Sequence, residues 1–97
     1  MIVRSKARFE KAFRRLAADD QQRVIETVAQ VDHFFSTREA PEGLGLKKLF
    51  SQESLGAVCE ARVTLALRVV FAVQHDAITL LMVGDHDEVR QFIRSFR

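Results

Sequence analysis

The middle of the chain shows an alternation of apolar and polar side chains that few folds can accommodate. Between residues 57 and 74 the even-numbered positions are mostly polar and include Glu60, Arg62 and Arg68. The odd-numbered positions are apolar: Ala57, Cys59, Ala61, Val63, Leu67, Val69, Phe71 and Val73. A period of two places neighbouring side chains on opposite faces of a β-strand. The pattern therefore predicts two paired strands that bury one face and hold the charged residues together on the other.

The connection between these two strands sets their register. A three-residue loop at Leu65, with Thr64 paired to Arg68 and Arg62 paired to Val70, keeps the whole apolar set on one face. A two-residue loop would instead place Arg68 on the core face, where burial of an unpaired charge is costly. We therefore expect the longer loop.

The next connection is a two-residue turn at His75 and Asp76. It predicts three pairs: Val73 with Ile78, Phe71 with Leu80, and Val69 with Met82. Thr79, Leu81 and Val83 then lie on the same open face as the arginines. A face that mixes charged and apolar side chains indicates cover, either by the last helix of the chain or by a partner.

Helical periodicity marks the two ends of the chain. A short strand at residues 2–4 precedes a helix with Ser5 as its N-cap, and Asp19 with Asp20 is predicted to cap a second helix. Further strands are predicted at residues 46–50, 57–63, 67–74 and 78–83, and a last helix at 85–96. The order β-α-α-β-β-β-β-α, with short connections, predicts an α+β fold. In this predicted fold, a helical hairpin packs on one face of a small antiparallel sheet.

Length and composition restrict the class of protein. The 97 residues fit a single domain, 1–97, and the single cysteine, Cys59, cannot form an internal disulfide. Arg4 and Lys6 interrupt the apolar run that a signal peptide would need near the N-terminus. No apolar run approaches the ~18 residues of a membrane span. We expect a cytoplasmic protein without membrane association. The net charge of +2 neither requires nor excludes nucleic-acid binding.

The densest polar cluster runs from Asp85 to Glu88. Asp85 with Glu88 three residues later is typical of a capping box at the start of the last helix. His86 has no part in that motif and lies near the edge of the open face, where a neutral imidazole can act as a base near pH 7. The alternative is an exposed histidine without a role. The spacing of Cys59 and the three histidines is not that of a zinc site, so we expect neither metal nor cofactor.

Four segments, taken in order, resemble the RelE/ParE toxin superfamily: residues 41–49 (PEGLGLKKL), 60–63 (EARV), 67–71 (LRVVF) and 83–89 (VGDHDEV). The resemblance covers nearly the whole chain and implies a helical hairpin on one sheet face and an RNA-binding surface on the other. It also implies the toxin component of a type II toxin–antitoxin system, held inactive by a cognate antitoxin. In the RelE branch such a toxin cuts mRNA on the ribosome. The protein is then expected as a homodimer or as a toxin–antitoxin hetero-oligomer.

The resemblance also implies roles for particular side chains. Arg68 matches a phosphate-contacting arginine of the family, and Arg62 lies near a basic position of the preceding strand. His86 matches an arginine or histidine after the last strand. The implied reaction is attack of a ribose 2′-OH on the adjacent phosphate, with Glu60 or His86 as acid or base and the two arginines as cations. It requires no metal.

Lys47 and Lys48 are expected to contact the RNA backbone. The chain has no tyrosine, which relatives often use near the C-terminus. Phe92 and Phe96 lie near that place, and their helical spacing predicts that they belong to the core.

The alternative function is a catalytically inactive interaction module of the same fold, gyrase-binding or helicase-associated. Such a module would make its contact through the apolar residues of the open face, Val70, Leu81 and Val83.

Overall fold

The computed structural model describes residues 1–96; Arg97, the last residue of the predicted domain, lies outside them. The elements are β1 (Ile2–Ser5), α1 (Ala7–Arg14), α2 (Ala18–Thr37), β2 (Lys47–Gln52), β3 (Gly56–Arg62), β4 (Arg68–Gln74), β5 (Ala77–Gly84) and α3 (His86–Arg94). The predicted α+β class and element order are confirmed, with boundaries that differ by a residue or two.

The five strands form one sheet in the order β1-β5-β4-β3-β2. Strands β2 to β5 are antiparallel, as predicted, but β1 joins β5 in parallel, so the sheet is mixed. Backbone hydrogen bonds from Ile2 to Asp76 (2.8 Å) and from Lys6 to Leu80 (2.9 Å) fix this direction. The predicted antiparallel pairing thus holds for the strands joined by hairpins, and β1 differs because a strand without a hairpin partner can join an edge in either direction.

The β3–β4 hairpin keeps the predicted faces with a different register. Arg62 pairs with Arg68, and Glu60 pairs with Val70, instead of the predicted Thr64–Arg68 and Arg62–Val70 pairs. The Val63 amide bonds to the Leu67 carbonyl (2.9 Å), which closes a three-residue loop centred on Leu65. Because this register differs from the prediction by two residues, every side chain stays on its predicted face.

The β4–β5 hairpin follows the prediction near its turn and departs from it further along. Val73 pairs with Ile78 and Phe71 with Leu80, as predicted. A bulge then places one extra residue in β5, so that Val69 pairs with Val83 and not with Met82. An extra residue reverses the alternation beyond it. Val83 therefore packs on the side of the helical hairpin, contrary to the prediction.

Two apolar clusters hold the layers together. One lies between the α1–α2 hairpin and the sheet and contains Phe9, Val24, Val31, Val69, Phe71, Ile78 and Val83, among others. The second lies between the sheet and α3 and contains Val58, Val70, Ala72, Leu81, Met82, Val89 and Phe92. The open face is thus covered by the last helix of the chain itself. Because Val70, Leu81 and Val83 are at most 4% exposed, they offer no contact surface for the interaction-module alternative.

The helix starts differ in how they are capped. Lys6 and Ala17 occupy the N-cap positions of α1 and α2 without a side-chain cap, so the N-caps predicted at Ser5 and at Asp19 and Asp20 were wrong. Ser5 is the last residue of β1. The two aspartates lie in the first turn of α2, where their negative charges interact favourably with the helix dipole. No helix within residues 1–96 is long and apolar enough to cross a membrane.

The capping box of α3 is confirmed. The Asp85 carboxylate accepts from the Glu88 amide at 2.8 Å, and the Glu88 carboxylate accepts from the Asp85 amide at 3.0 Å. This pair fixes where α3 begins and therefore where His86, its first residue, lies.

Candidate active site

Strand register places four of the predicted site residues at one end of the sheet face that carries α3. Arg62 and Arg68 are cross-strand partners, and so are Lys47 and Glu60. Glu60 and Arg62 are two positions apart on β3, which places their Cα atoms about 7 Å apart on the same face. Arg68 is also paired with Gly84, two residues before His86. The alternation of the strands thus places the four residues on one face. The groove on this face is lined by Lys47, Glu60 and His86 but not by Arg62 or Arg68.

A groove with a volume of about 260 Å³ lies between α3 and the strands β2 and β3. Its lining residues are Lys47, Leu49, Glu60, His86, Val89, Arg90, Ile93 and Arg94. Three cations, one carboxylate and one imidazole therefore surround the groove. The sequence analysis did not identify Arg90 and Arg94. His86, Arg90 and Arg94 follow one another at intervals of four residues, which places them on one face of a helix.

His86 and Arg90 contact each other directly in this groove. Arg90 Nη2 lies 2.6 Å from His86 Nε2. A guanidinium carries hydrogen-bond donors and no acceptor, so His86 Nε2 is the acceptor. As a hydrogen bond, this contact fits the His86 tautomer that carries its proton on Nδ1.

The two arginines of the β3–β4 hairpin have different surroundings. Arg68 is half-buried, and its Nη1 donates to the carbonyls of Thr64 (3.0 Å) and Leu67 (3.3 Å). It thereby closes the loop between β3 and β4. Arg62 is exposed, and no side-chain hydrogen bond is found for it among residues 1–96. Its guanidinium is open to an anion.

The two lysines predicted to contact RNA have different surroundings. Lys47 lines the groove beside Glu60. Lys48 pairs with Cys59 and lines the adjoining cavity along β2, but it does not line the charged groove. Burial raises the pKa of the Cys59 thiol, and the Lys48 charge opposes that rise.

A second, more apolar cavity of about 420 Å³ continues the groove along β2. It shares Lys47, Leu49 and Ile93 with the charged groove and adds Lys48, Phe50 and Phe96. The rings of Phe50 and Phe96 lie 5.5 Å apart between centroids. Phe92 is buried, as its spacing predicted, whereas Phe96 is half-buried and lines this cavity. The whole groove thus has a charged end and an aromatic end.

Solved structures of bacterial and archaeal toxins share this fold. A copper-bound mutant toxin from Helicobacter pylori superposes with a TM-score of 0.72 at 19% identity, over 92% of this chain and 98% of that one. The RelE–RelB complex of Pyrococcus horikoshii superposes with a TM-score of 0.68 at 21% identity, over 87% of this chain and 92% of that one. The YoeB/ParE toxin of Agrobacterium tumefaciens superposes with a TM-score of 0.65 at 14% identity, over 89% of this chain and 99% of that one.

No protein-family model matches the chain, and no curated protein sequence matches it significantly. The copper in the first of these structures belongs to that mutant protein. In the part of this chain that the structure describes, no three His, Cys, Asp or Glu side chains are grouped closely enough to hold a metal ion. The likeness to the solved structures shows that the chain has the RelE-like toxin fold.

Proposed function

We propose that the chain is the toxin of a type II toxin–antitoxin system and cuts ribosome-bound mRNA, with the groove beside α3 as its active site. The observation that carries this proposal is the convergence of Glu60, His86 and several cations in one open groove. A cleft of this kind can bind a phosphate and also move a proton. The RelE-like toxin fold supports the same proposal.

The proposed reaction is attack of a ribose 2′-oxygen on the adjacent phosphorus. A base, Glu60 or His86, takes the 2′-OH proton while the new O–P bond forms. The bond from phosphorus to the 5′-oxygen then breaks, and the leaving oxygen takes up a proton. Arg62 and Arg68 of the β3–β4 hairpin, together with Lys47 and Arg90 of the groove, supply positive charge where the phosphate gains negative charge. The products are a 2′,3′-cyclic phosphate and a free 5′-OH, and the reaction needs no metal ion.

The aromatic end of the groove suits a nucleobase. Phe50, Ile93 and Phe96 present an apolar surface next to Lys47. Unpaired RNA bases stack on aromatic side chains, and the phosphate next to a stacked base would lie toward the charged end. We therefore propose that Phe96 supplies the stacking contact in a chain that has no tyrosine.

The proposed partners are mRNA in the ribosome and a cognate antitoxin. Two of the similar structures are complexes of a RelE toxin with its RelB antitoxin, from Pyrococcus horikoshii and Methanococcus jannaschii. An antitoxin of this chain is expected to suppress the activity of the groove.

Induced expression in bacteria, followed by primer extension on ribosome-bound mRNA, tests the proposal. Wild-type protein should arrest growth and leave new 5′ ends in translated messages. Glu60→Gln and His86→Gln should each lower cleavage about 10²- to 10⁴-fold, the usual contribution of a general acid or base. Arg14→Ala removes an exposed arginine from α1, outside the groove residues, and should leave cleavage unchanged.

The proposal fails if folded wild-type protein, present at a level matching that of ribosomes, leaves mRNA intact. Binding to gyrase or to a helicase under the same conditions would then favour the interaction-module alternative.

A further inference from the structure

We propose that Arg90 is a positioning residue that holds the His86 ring in the tautomer with its proton on Nδ1 until a phosphate draws Arg90 away. The starting observation is the 2.6 Å contact between Arg90 Nη2 and His86 Nε2. Its role in catalysis rests on the function proposed above, whereas the state of the imidazole does not.

The chemistry of the two side chains allows one arrangement. Arginine donates only, so the Nε2 that it contacts must carry a lone pair. A protonated His86 would place two cations in contact and lose this hydrogen bond. Free neutral histidine favours the proton on Nε2, so the contact selects the less common tautomer.

Several charged side chains surround the His86–Arg90 pair. From the helix, Arg94 faces the groove together with Arg90, and from the strands Lys47 does so. Glu60 is the single carboxylate among the lining residues.

The first turn of α3 adds further charges near His86. The carboxylates of Asp85 and Glu88 are occupied by the capping box, while Asp87 lies beside His86 in the chain.

Phosphate binding would release the imidazole. A phosphate accepts two parallel hydrogen bonds from one guanidinium and carries a negative charge, so Arg90 should prefer it to a neutral imidazole. When Arg90 turns to the phosphate, the Nε2 lone pair of His86 becomes available to take the 2′-OH proton. Arg90 would thus couple substrate binding to the appearance of the base.

Nitrogen NMR of the histidine rings in the isolated protein tests this proposal without any activity measurement. Spectra are recorded near pH 8, well above the ordinary histidine pKa of about 6.5, so that the ring is neutral. We expect Nδ1–H as the major His86 tautomer in the wild type. Arg90→Met should reverse the tautomer ratio, and Arg90→Lys, which keeps a charged donor, should restore part of it.

Arg94→Met is the matched control, because it removes another groove cation from the same helix without touching the His86 contact. It should leave the tautomer ratio unchanged. Inorganic phosphate, titrated into the wild type, should weaken the Nδ1–H preference, and it should have no such effect in Arg90→Met.

Two results would overturn the positioning role: Nε2–H as the major tautomer of the wild type, or equal shifts in the Arg90 and Arg94 variants. The second would indicate a general effect of charge. If the tautomer is as expected but wild-type protein leaves ribosome-bound mRNA intact, the proposed function fails while the contact stands. If mRNA is cut and the tautomer is absent, the positioning role alone fails.

Discussion

Removal of the Asp85 side chain should destabilise the protein through one identified hydrogen bond. Asp85 Oδ1 accepts from the Glu88 amide at 2.8 Å, and Asp85→Ala leaves that amide without its partner at the start of α3. Loss of an N-cap acceptor costs about 1 kcal/mol, with a range of about 0.5–2. In a domain of this size each kcal/mol lowers the melting temperature by roughly 4–8 °C.

Urea titration followed by circular dichroism measures the free energy of unfolding, and the transition midpoint should fall without a change in slope. Asp87→Ala is the matched control, because Asp87 lies in the same turn and interacts with the helix dipole without a role in the cap. Its cost, about 0.3–1 kcal/mol, should fade at high salt. The cost of Asp85→Ala should persist there, and Asp85→Ser should recover most of it.

Equal losses for the Ala and Ser variants of Asp85 would refute the capping argument. So would a loss for Asp85→Ala that disappears at high salt, since charge and not the hydrogen bond would then be responsible.

Three further predictions concern the stability of the fold. Gly56→Ala should cost more than about 3 kcal/mol in urea titrations, because a Cβ there would lie 2.4 Å from the Val73 carbonyl oxygen at a φ of +90°. Gly43→Ala, at a similar φ of +88° with no atom within 4 Å, should cost only the backbone strain of about 1–2 kcal/mol. Phe71→Ala should cost about 3–5 kcal/mol, because the ring is 0% exposed; a smaller loss in the same titration would mean that the site collapses around the gap. Burial raises the pKa of the Cys59 thiol. The contribution of the protonated thiol to the free energy of unfolding is therefore complete below about pH 8.5 and is lost as pH rises through the raised pKa. Cys59→Ala should lack this part of the alkaline decline in urea midpoints.

The alternation of residues 57–74 was sufficient to predict the two faces of the central strands. A strand period of two makes face membership depend on parity alone, so an error of two residues in register left Glu60, Arg62 and Arg68 on the predicted face. The bulge in β5 could not be predicted, because residues 77–84 are almost all apolar and their polarity cannot indicate an inserted residue. The packing of Val83 on the helical-hairpin side followed from that bulge.

The candidate site was predictable where it depends on strands and less so where it depends on the last helix. The chain position of His86 was evident from the capping box, but its partner was not, since an arginine four residues later is common on exposed helices. Whether α3 covers the open face was equally open in the sequence. The answer depends on Val89 and Phe92 filling the space above Val70 and Met82, and that packing is a property of the three-dimensional arrangement.

Arg68, the residue that the resemblance identifies most directly, is an ambiguous test of the proposed nuclease. Its Nη1 closes the β3–β4 loop through the carbonyls of Thr64 and Leu67, so Arg68→Ala removes those hydrogen bonds along with any phosphate contact. Loss of bonds from a charged donor costs about 1.5–3 kcal/mol each, enough to lower the amount of folded toxin in a cell and to relieve growth arrest without any effect on chemistry. Its cross-strand partner Arg62 is exposed and separates the two effects. Arg62→Ala should leave the urea midpoint within about 0.5 kcal/mol of the wild type and still lower mRNA cleavage if a phosphate binds between the two arginines. If Arg62→Ala cleaves mRNA as the wild type does, while Arg68→Ala loses stability and activity together, the arginine pair serves the loop and not the phosphate.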